Sequence, residues 1–200
     1  YFLDIKVKGS NIIEKIYAEY MPVPFLSVIT NDCIQKGMDY NAGGARYNTS
    51  YIQGVGIGTV TDCLSAIRYQ VFDKQRFTLP ELTQAMLHDF EGQPKMLKLV
   101  QEHSPKYGND DDYADSIMQS VFEYYQKAVT GRPNMRGGMY RVNMLPTTCH
   151  VYFGEVMLAS ANGRRAHKPV SEGISPEKGA DTNGPTAVVK SCAKMDHLKT

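Results

Sequence analysis

The sequence has no excess of charge of either sign. Lys and Arg number 22 against 21 Asp and Glu, a formal net charge of +1. A balance this even gives no global electrostatic signal for nucleic acid, a membrane surface or acidic substrates. Cysteine is sparse. Cys33, Cys63, Cys149 and Cys192 are widely spaced and form no CxxC pair. That spacing excludes a disulfide framework and a zinc pattern, and it fits a reducing, cytoplasmic compartment. Each of the four is expected to be a buried structural thiol. No apolar run is long enough to cross a bilayer, and the N-terminus is not a signal peptide. The sequon Asn48-Thr49-Ser50 therefore carries no weight.

Common catalytic signatures are missing too. There is no GxxxxGK[ST] loop and no GxSxG. Gly54, Gly56 and Gly58 do not complete GxGxxG, because Thr59 holds the third position. His88, His103, His150, His167 and His197 show no ligand spacing. Asp110, Asp111 and Asp112 fail the EF-hand pattern. No glycine falls at loop position six, and Val121 stands where the bidentate glutamate belongs. These acids are better read as favourable charge at the N-terminus of a helix over 113–129.

What is present is an α/β pattern of ordinary composition, 42% apolar and 22% charged, in 200 residues. That is enough for one domain with a core. The chain is organised around 39–69, a Gly- and Asn-rich loop that becomes a strand and then a helix. Alternation over Tyr51–Gly58 puts Gly54, Gly56 and Gly58 on one face with Ile52. Glycine inside a strand marks close approach of a ligand or another backbone, or a tight packing contact. Asn41, Arg46 and Asn48 have an alternative role in holding the preceding loop by hydrogen bonds to backbone. Thr61 or Asp62 is expected to cap the following helix, which runs to about Phe72.

Elsewhere, helical spacing covers 11–20, with Ser10 as cap and Ile12, Ile13, Ile16 and Tyr17 on one face. It returns over 25–36 with Gly37 as C-cap, over 79–90, over 95–102, and over 186–198 with Val188, Val189, Cys192 and Met195 inward. Arg132, Arg136 and Arg141 form either a small anion site or a solvated basic loop. Met139–Gly154 alternates as one long strand that must bulge, kink or end at Pro146. Such a kink can aim Thr147 and Thr148 into a cavity, or leave two locally bonded threonines at a strand break. On that strand Cys149 and His150 would face opposite sides, so they are not a nucleophile–base pair. Residues 159–182 form a long polar segment, of the kind that is ordered by function or else disordered.

Four collinear blocks carry a family resemblance. They are DYNAGGARYNTSYIQGVGIGTVTDCLSAIR (39–68), KYGNDDDYAD (106–115), RPNMRGGMYRVNMLPTTCHVYFGEV (132–156) and GRRAHKPVSEGISPEKGADTNGPTAVVKSCAKMD (163–196). Together they resemble the glycyl radical enzymes, in the dehydratase-like branch of the pyruvate formate-lyase superfamily. The resemblance implies a ten-stranded α/β barrel built from two five-stranded parallel half-barrels. It also implies a backbone glycyl radical, a cysteine that takes hydrogen from substrate, and a glutamate two residues past that cysteine.

The present sequence departs from the family at these points. No cysteine has a glycine before it and a glutamate two after, and no RVxGY-type motif occurs. The cysteine is expected before Tyr1 and the radical glycine after Thr200. The 200 residues are then a single partial domain, an internal part of a larger anaerobic lyase, with no catalytic, cofactor-binding or metal-binding residue of their own. Thr147 and Thr148 match a region that contributes to the substrate pocket, and one of them is expected to bond substrate. Gly54, Gly56 and Gly58 are expected to admit a neighbouring loop.

The implied reaction is elimination of water from a small hydroxylated substrate such as trans-4-hydroxy-L-proline. A formate acetyltransferase-like reaction, or another C–O or C–N cleavage, is the alternative within the superfamily. A catalytically silent structural piece is the alternative outside it. The implied partners of the full-length parent are a radical S-adenosylmethionine activating enzyme and a second copy of itself, with no nucleic acid and no membrane.

Overall fold

The computed structural model describes residues 1–200, which form two compact units. The first unit contains 1–52, 125–142 and 199–200, and the second contains 53–124 and 143–198.

In the first unit, α1 (Phe2–Tyr20) begins eight residues before the expected cap, so Ser10 lies inside the helix. Its covered side is not the isoleucine stripe. Ile12, Ile13, Ile16 and Tyr17 are exposed, whereas Val7 is buried. The covered side includes two polar residues because they bond the stretch 135–140. Asn11 accepts from the Tyr140 hydroxyl at 2.9 Å, and Glu14 accepts from Met135 N at 3.1 Å. The helix expected over 25–36 is two pieces, α2 (Pro24–Ile29) and α3 (Cys33–Lys36). They are separated where Asp32 takes φ +75°, a conformation that breaks a helix. Gly37 ends α3 in the left-handed region, as expected.

The loop after α3 is held by its asparagines through backbone carbonyls, as the alternative reading has it, whereas Arg46 bonds a side chain. Asn41 donates to Met21 O at 2.8 Å, and Asn48 donates to Gly43 O and Ala45 O at 3.0 Å. Arg46 pairs with Asp32 at 2.8 Å. Two of the three basic-loop arginines are engaged. Arg132 pairs with Asp4 at 2.7 Å, and Arg136 donates to Thr49 O at 3.0 Å.

The two long strands of the sequence reading are four residues each, β1 (Ser50–Gln53) and β2 (Tyr140–Asn143), paired in a two-stranded sheet. Ser50 N bonds Met139 O at 3.1 Å and Gly54 N bonds Asn143 O at 2.7 Å, so both strands advance together and the pair is parallel. β1 stops early because Gly56 takes φ +87° and N-caps α4 (Ile57–Ala66). Gly58 therefore sits in the first turn of a helix and not on a strand face. β2 stops before Pro146, and Cys149 and His150 belong to α8 (Cys149–Glu155). Placed there, Cys149 is exposed and not buried; Cys33 is buried, and Cys63 and Cys192 are half-buried.

The second unit packs its core from Ala66, Leu82, Ala85, Phe90, Val100, Ala159 and Ala161. Thr61 and Asp62 are fully buried inside α4 and do not cap it. The helix continues as a π-helix, Ile67–Asp73. This turn places Gln70 under the end of α6 (Pro94–Glu102), where its Nε2 donates to Leu99 O at 2.9 Å and His103 O at 2.8 Å. α5 (Leu79–Leu87) opens with a capping box between Thr78 and Glu81. It ends short of Phe90 because Asp89 and Phe90 turn at positive φ.

α7 (Asp112–Val129) has the expected acids at its start. α9 (Pro185–Ala193) is shorter than expected. Its buried residues are Ala187 and Ser191, Met195 is buried just beyond its end, and Val189 is exposed. No helix is long and apolar enough to cross a membrane.

Candidate functional site

The glycine stretch, the Pro-Thr-Thr turn and the long polar segment meet in the second unit. A Cβ on Gly58 would stand 2.7 Å from Ser175 O, 2.8 Å from Glu177 N and 2.9 Å from Pro176 C. The close approach that the glycines predicted is therefore made by the 175–177 loop, at the first turn of α4. One residue on, Thr59 N donates to Ser171 Oγ at 3.0 Å and Ser171 N donates to Thr59 Oγ1 at 2.7 Å. Thr59 Oγ1 also bonds Glu177 Oε2.

The 159–182 segment is ordered by a buried arginine. Arg164 is 7% exposed. Its guanidinium donates to Leu158 O at 2.5 Å, Lys168 O at 2.6 Å, and Arg165 O and Ser160 Oγ at 3.1 Å. A planar fork with five donors can tie several carbonyls at once, as no other side chain can.

Beside it opens a cavity of about 510 Å³ lined by Asp62, Lys106, Asn162, Arg164, Lys168 and Glu177, among others. Asp62 Oδ1 accepts from Tyr107 N at 2.9 Å, whereas its Oδ2 is buried with no partner. Burial pushes the Asp62 carboxyl up to about 7 against the pull of Lys106. Burial also raises the Glu177 carboxyl and lowers the Lys106 ammonium. Asp62, Lys106, Arg164 and Glu177 were not marked by sequence reasoning. Asp62 was one of two candidates for a helix cap, Arg164 and Glu177 lie in the 159–182 segment read as polar, and Lys106 only opens the block 106–115. The one signal that pointed here was glycine at 58.

The turn after β2 separates the two threonines. Thr147 Oγ1 is buried and has no hydrogen-bond partner. The Thr147 carbonyl pairs with His150 Nδ1 at 2.7 Å. Thr148 is exposed and takes the N-cap position of α8 without a side-chain bond. A buried free hydroxyl is costly unless something bonds it, by about 1–3 kcal/mol. Thr147 Oγ1 is thus an enclosed hydroxyl without a partner, whereas Thr148 is open to its surroundings.

A segment of the glycyl radical enzyme α/β barrel is the class that these elements define. The chain belongs to the pyruvate formate lyase-like family, whose model matches residues 1–154. It is 64% identical over its whole length to trans-4-hydroxy-L-proline dehydratase of Clostridioides difficile, covering 25% of that protein. The crystal structure of the C. difficile hydroxyproline dehydratase with trans-4-hydroxy-L-proline bound superposes with a TM-score of 0.97 over all of this chain and 25% of that one. The B12-independent glycerol dehydratase of Clostridium butyricum, in its glycerol-bound form, superposes with a TM-score of 0.93 at 36% identity, again over 100% and 25%. The chain thus spans about a quarter of the length of the relatives it matches.

Proposed function

We propose that this chain is part of the substrate-enclosing barrel of a glycyl radical dehydratase that removes water from trans-4-hydroxy-L-proline. The observation that carries the proposal is the TM-score of 0.97 at 64% identity to a hydroxyproline dehydratase with that substrate bound. In the full-length parent the glycyl radical supplies hydrogen-atom abstraction. Neither radical site is assigned to these residues, because no cysteine here has the flanking glycine and glutamate and no RVxGY motif occurs. The parent is read as a cytoplasmic homodimer charged by a radical S-adenosylmethionine activating enzyme. The 200 residues form one partial domain of it.

This chain's own contribution is binding and enclosure. Thr147 Oγ1 hydrogen-bonds the substrate, and Thr148 leads into α8 behind it. Enclosure of this turn by the rest of the parent barrel would strengthen a single hydrogen bond and exclude side reactions of a radical. The resemblance to glycerol dehydratase favours a second reading, with a small vicinal diol as the molecule dehydrated.

The test offers trans-4-hydroxy-L-proline and glycerol separately to the anaerobically activated parent. A pyrroline product from the first supports the proposal, and turnover of glycerol alone moves it to the diol. This chain in isolation is expected to be inactive, and turnover by it would contradict the assignment of both radical sites elsewhere.

A further inference from the structure

The turn that carries Thr147 is held from both sides by one five-residue stretch, 170–174. On one flank Ile174 N donates to Met144 O at 3.0 Å, and on the other Val170 N donates to His150 O at 3.2 Å. Between these two bonds, Gly173 lies flat against the turn. A Cβ there would fall on Met144 O and stand 2.7 Å from Leu145 C and from Pro146 N. The middle of the stretch is fastened to the first turn of α4 by the reciprocal bonds between Thr59 and Ser171. Thr59 is 5% exposed and Ser171 is 3% exposed, so water does not compete for these bonds. Tyr107 adds a further tie, donating from its hydroxyl to Ile174 O at 2.9 Å.

We propose that 170–174 is a brace that sets the position of Thr147, and that Thr59 and Ser171 are positioning residues for the reaction, acting through Thr147. The proposal rests on the reading of Thr147 as a substrate contact. Its physical basis is that the two bonds bracket the whole turn, whereas the turn's own ties, from Gln53 and Asn143 to Leu145 and from His150 to the Thr147 carbonyl, leave the Thr147 side chain unheld. Thr147 Oγ1 has no protein partner, and Pro146 has no N–H to give. A brace anchored on a buried helix turn fixes the hydroxyl within a fraction of an ångström, which is the tolerance that substrate orientation requires.

The experiment uses the full-length parent, activated anaerobically, with the radical quantified by electron paramagnetic resonance in every variant. kcat and KM for trans-4-hydroxy-L-proline are measured for Thr59→Val, Thr59→Ser, Ser171→Ala and Thr147→Val, and for Thr59→Val and Ser171→Ala each combined with Thr147→Val. Thr59→Val is expected to lower kcat/KM about tenfold, mainly through KM, at unchanged radical yield. Thr59→Ser keeps the hydroxyl and is expected to stay within about twofold of the parent. In the Thr147→Val background, Thr59→Val is expected to change kcat/KM by less than about twofold, because the contact it positions is already gone.

Ser171→Ala removes one of the two reciprocal bonds. It replaces Thr59→Val in the same comparison if that variant does not fold. Equal losses in both backgrounds mark a general packing effect and overturn the brace, as does no loss from either brace variant. A Thr147→Val variant with normal kcat/KM overturns the substrate reading of Thr147, and the brace with it.

Discussion

Asp62→Asn should make the protein more stable at pH 8 than it is with its native aspartate, and by only about 1 kcal/mol at pH 4.5. Asp62 is fully buried, and its carboxyl titrates at about 7 in the folded chain against 3.8 when free. Between those values the folded state holds a proton that the unfolded state has released. Stability then falls as pH rises, by about 1.4 kcal/mol per pH unit. Across the roughly three units the loss is on the order of 4 kcal/mol, complete above about pH 7. Glu177, also raised by burial, adds to the loss in the same direction.

Asparagine imitates the protonated acid and keeps the oxygen that accepts from Tyr107 N. Its stability should lack the Asp62 part of the slope. The assay is urea unfolding of both proteins from pH 4.5 to 8. The gap between them should open progressively through pH 5–7. A gap that is constant with pH, or a variant that is less stable at pH 8, would refute a raised Asp62.

Gly58→Ala should destabilise by about 1–3 kcal/mol despite alanine's helix preference, because its methyl meets the backbone of Ser175, Pro176 and Glu177 below 3.0 Å; thermal unfolding reads this directly. Lys194→Met should cost about 2 kcal/mol in urea unfolding, since it strips the cation 2.7 Å from fully buried Asp115; the usual 3–5 is discounted because Lys194 remains a quarter exposed. Arg164→Lys should speed amide exchange across 158–168, measured by mass spectrometry, because an ammonium cannot reach the Leu158, Arg165 and Lys168 carbonyls together.

The helices were the most legible part of the sequence. α5 and α6 carry proline in their first turn, and α3 ends on Gly37, so local chemistry sets those boundaries. Strand length was not legible. The alternation over 51–58 continues past Gly56, where β1 has already given way to α4, and although Pro146 marked a break in 139–154, the pattern did not show that β2 ends at Asn143 and that 149–155 is helical. A period of two cannot show where a backbone turns.

The isoleucine stripe of α1 misled for another reason. Apolar periodicity shows a face that is coverable, whereas the face covered within this chain is set by the polar partners Asn11 and Glu14. The family was legible from the four blocks. The buried charges at 62 and 164 and the half-buried ones at 106 and 177 were not, because their burial depends on contacts far apart in sequence. Thr147 and Thr148 were indistinguishable by type and position, and only hydroxyl burial separates them.

The central claim is tested most directly on the full-length parent. It is activated anaerobically, its electron paramagnetic resonance spectrum is recorded, and trans-4-hydroxy-L-proline is then added. The account predicts a glycyl radical signal and a pyrroline product formed with loss of water. A parent that shows no organic radical under activating conditions, or one that carries the radical and leaves the hydroxyproline intact, contradicts it.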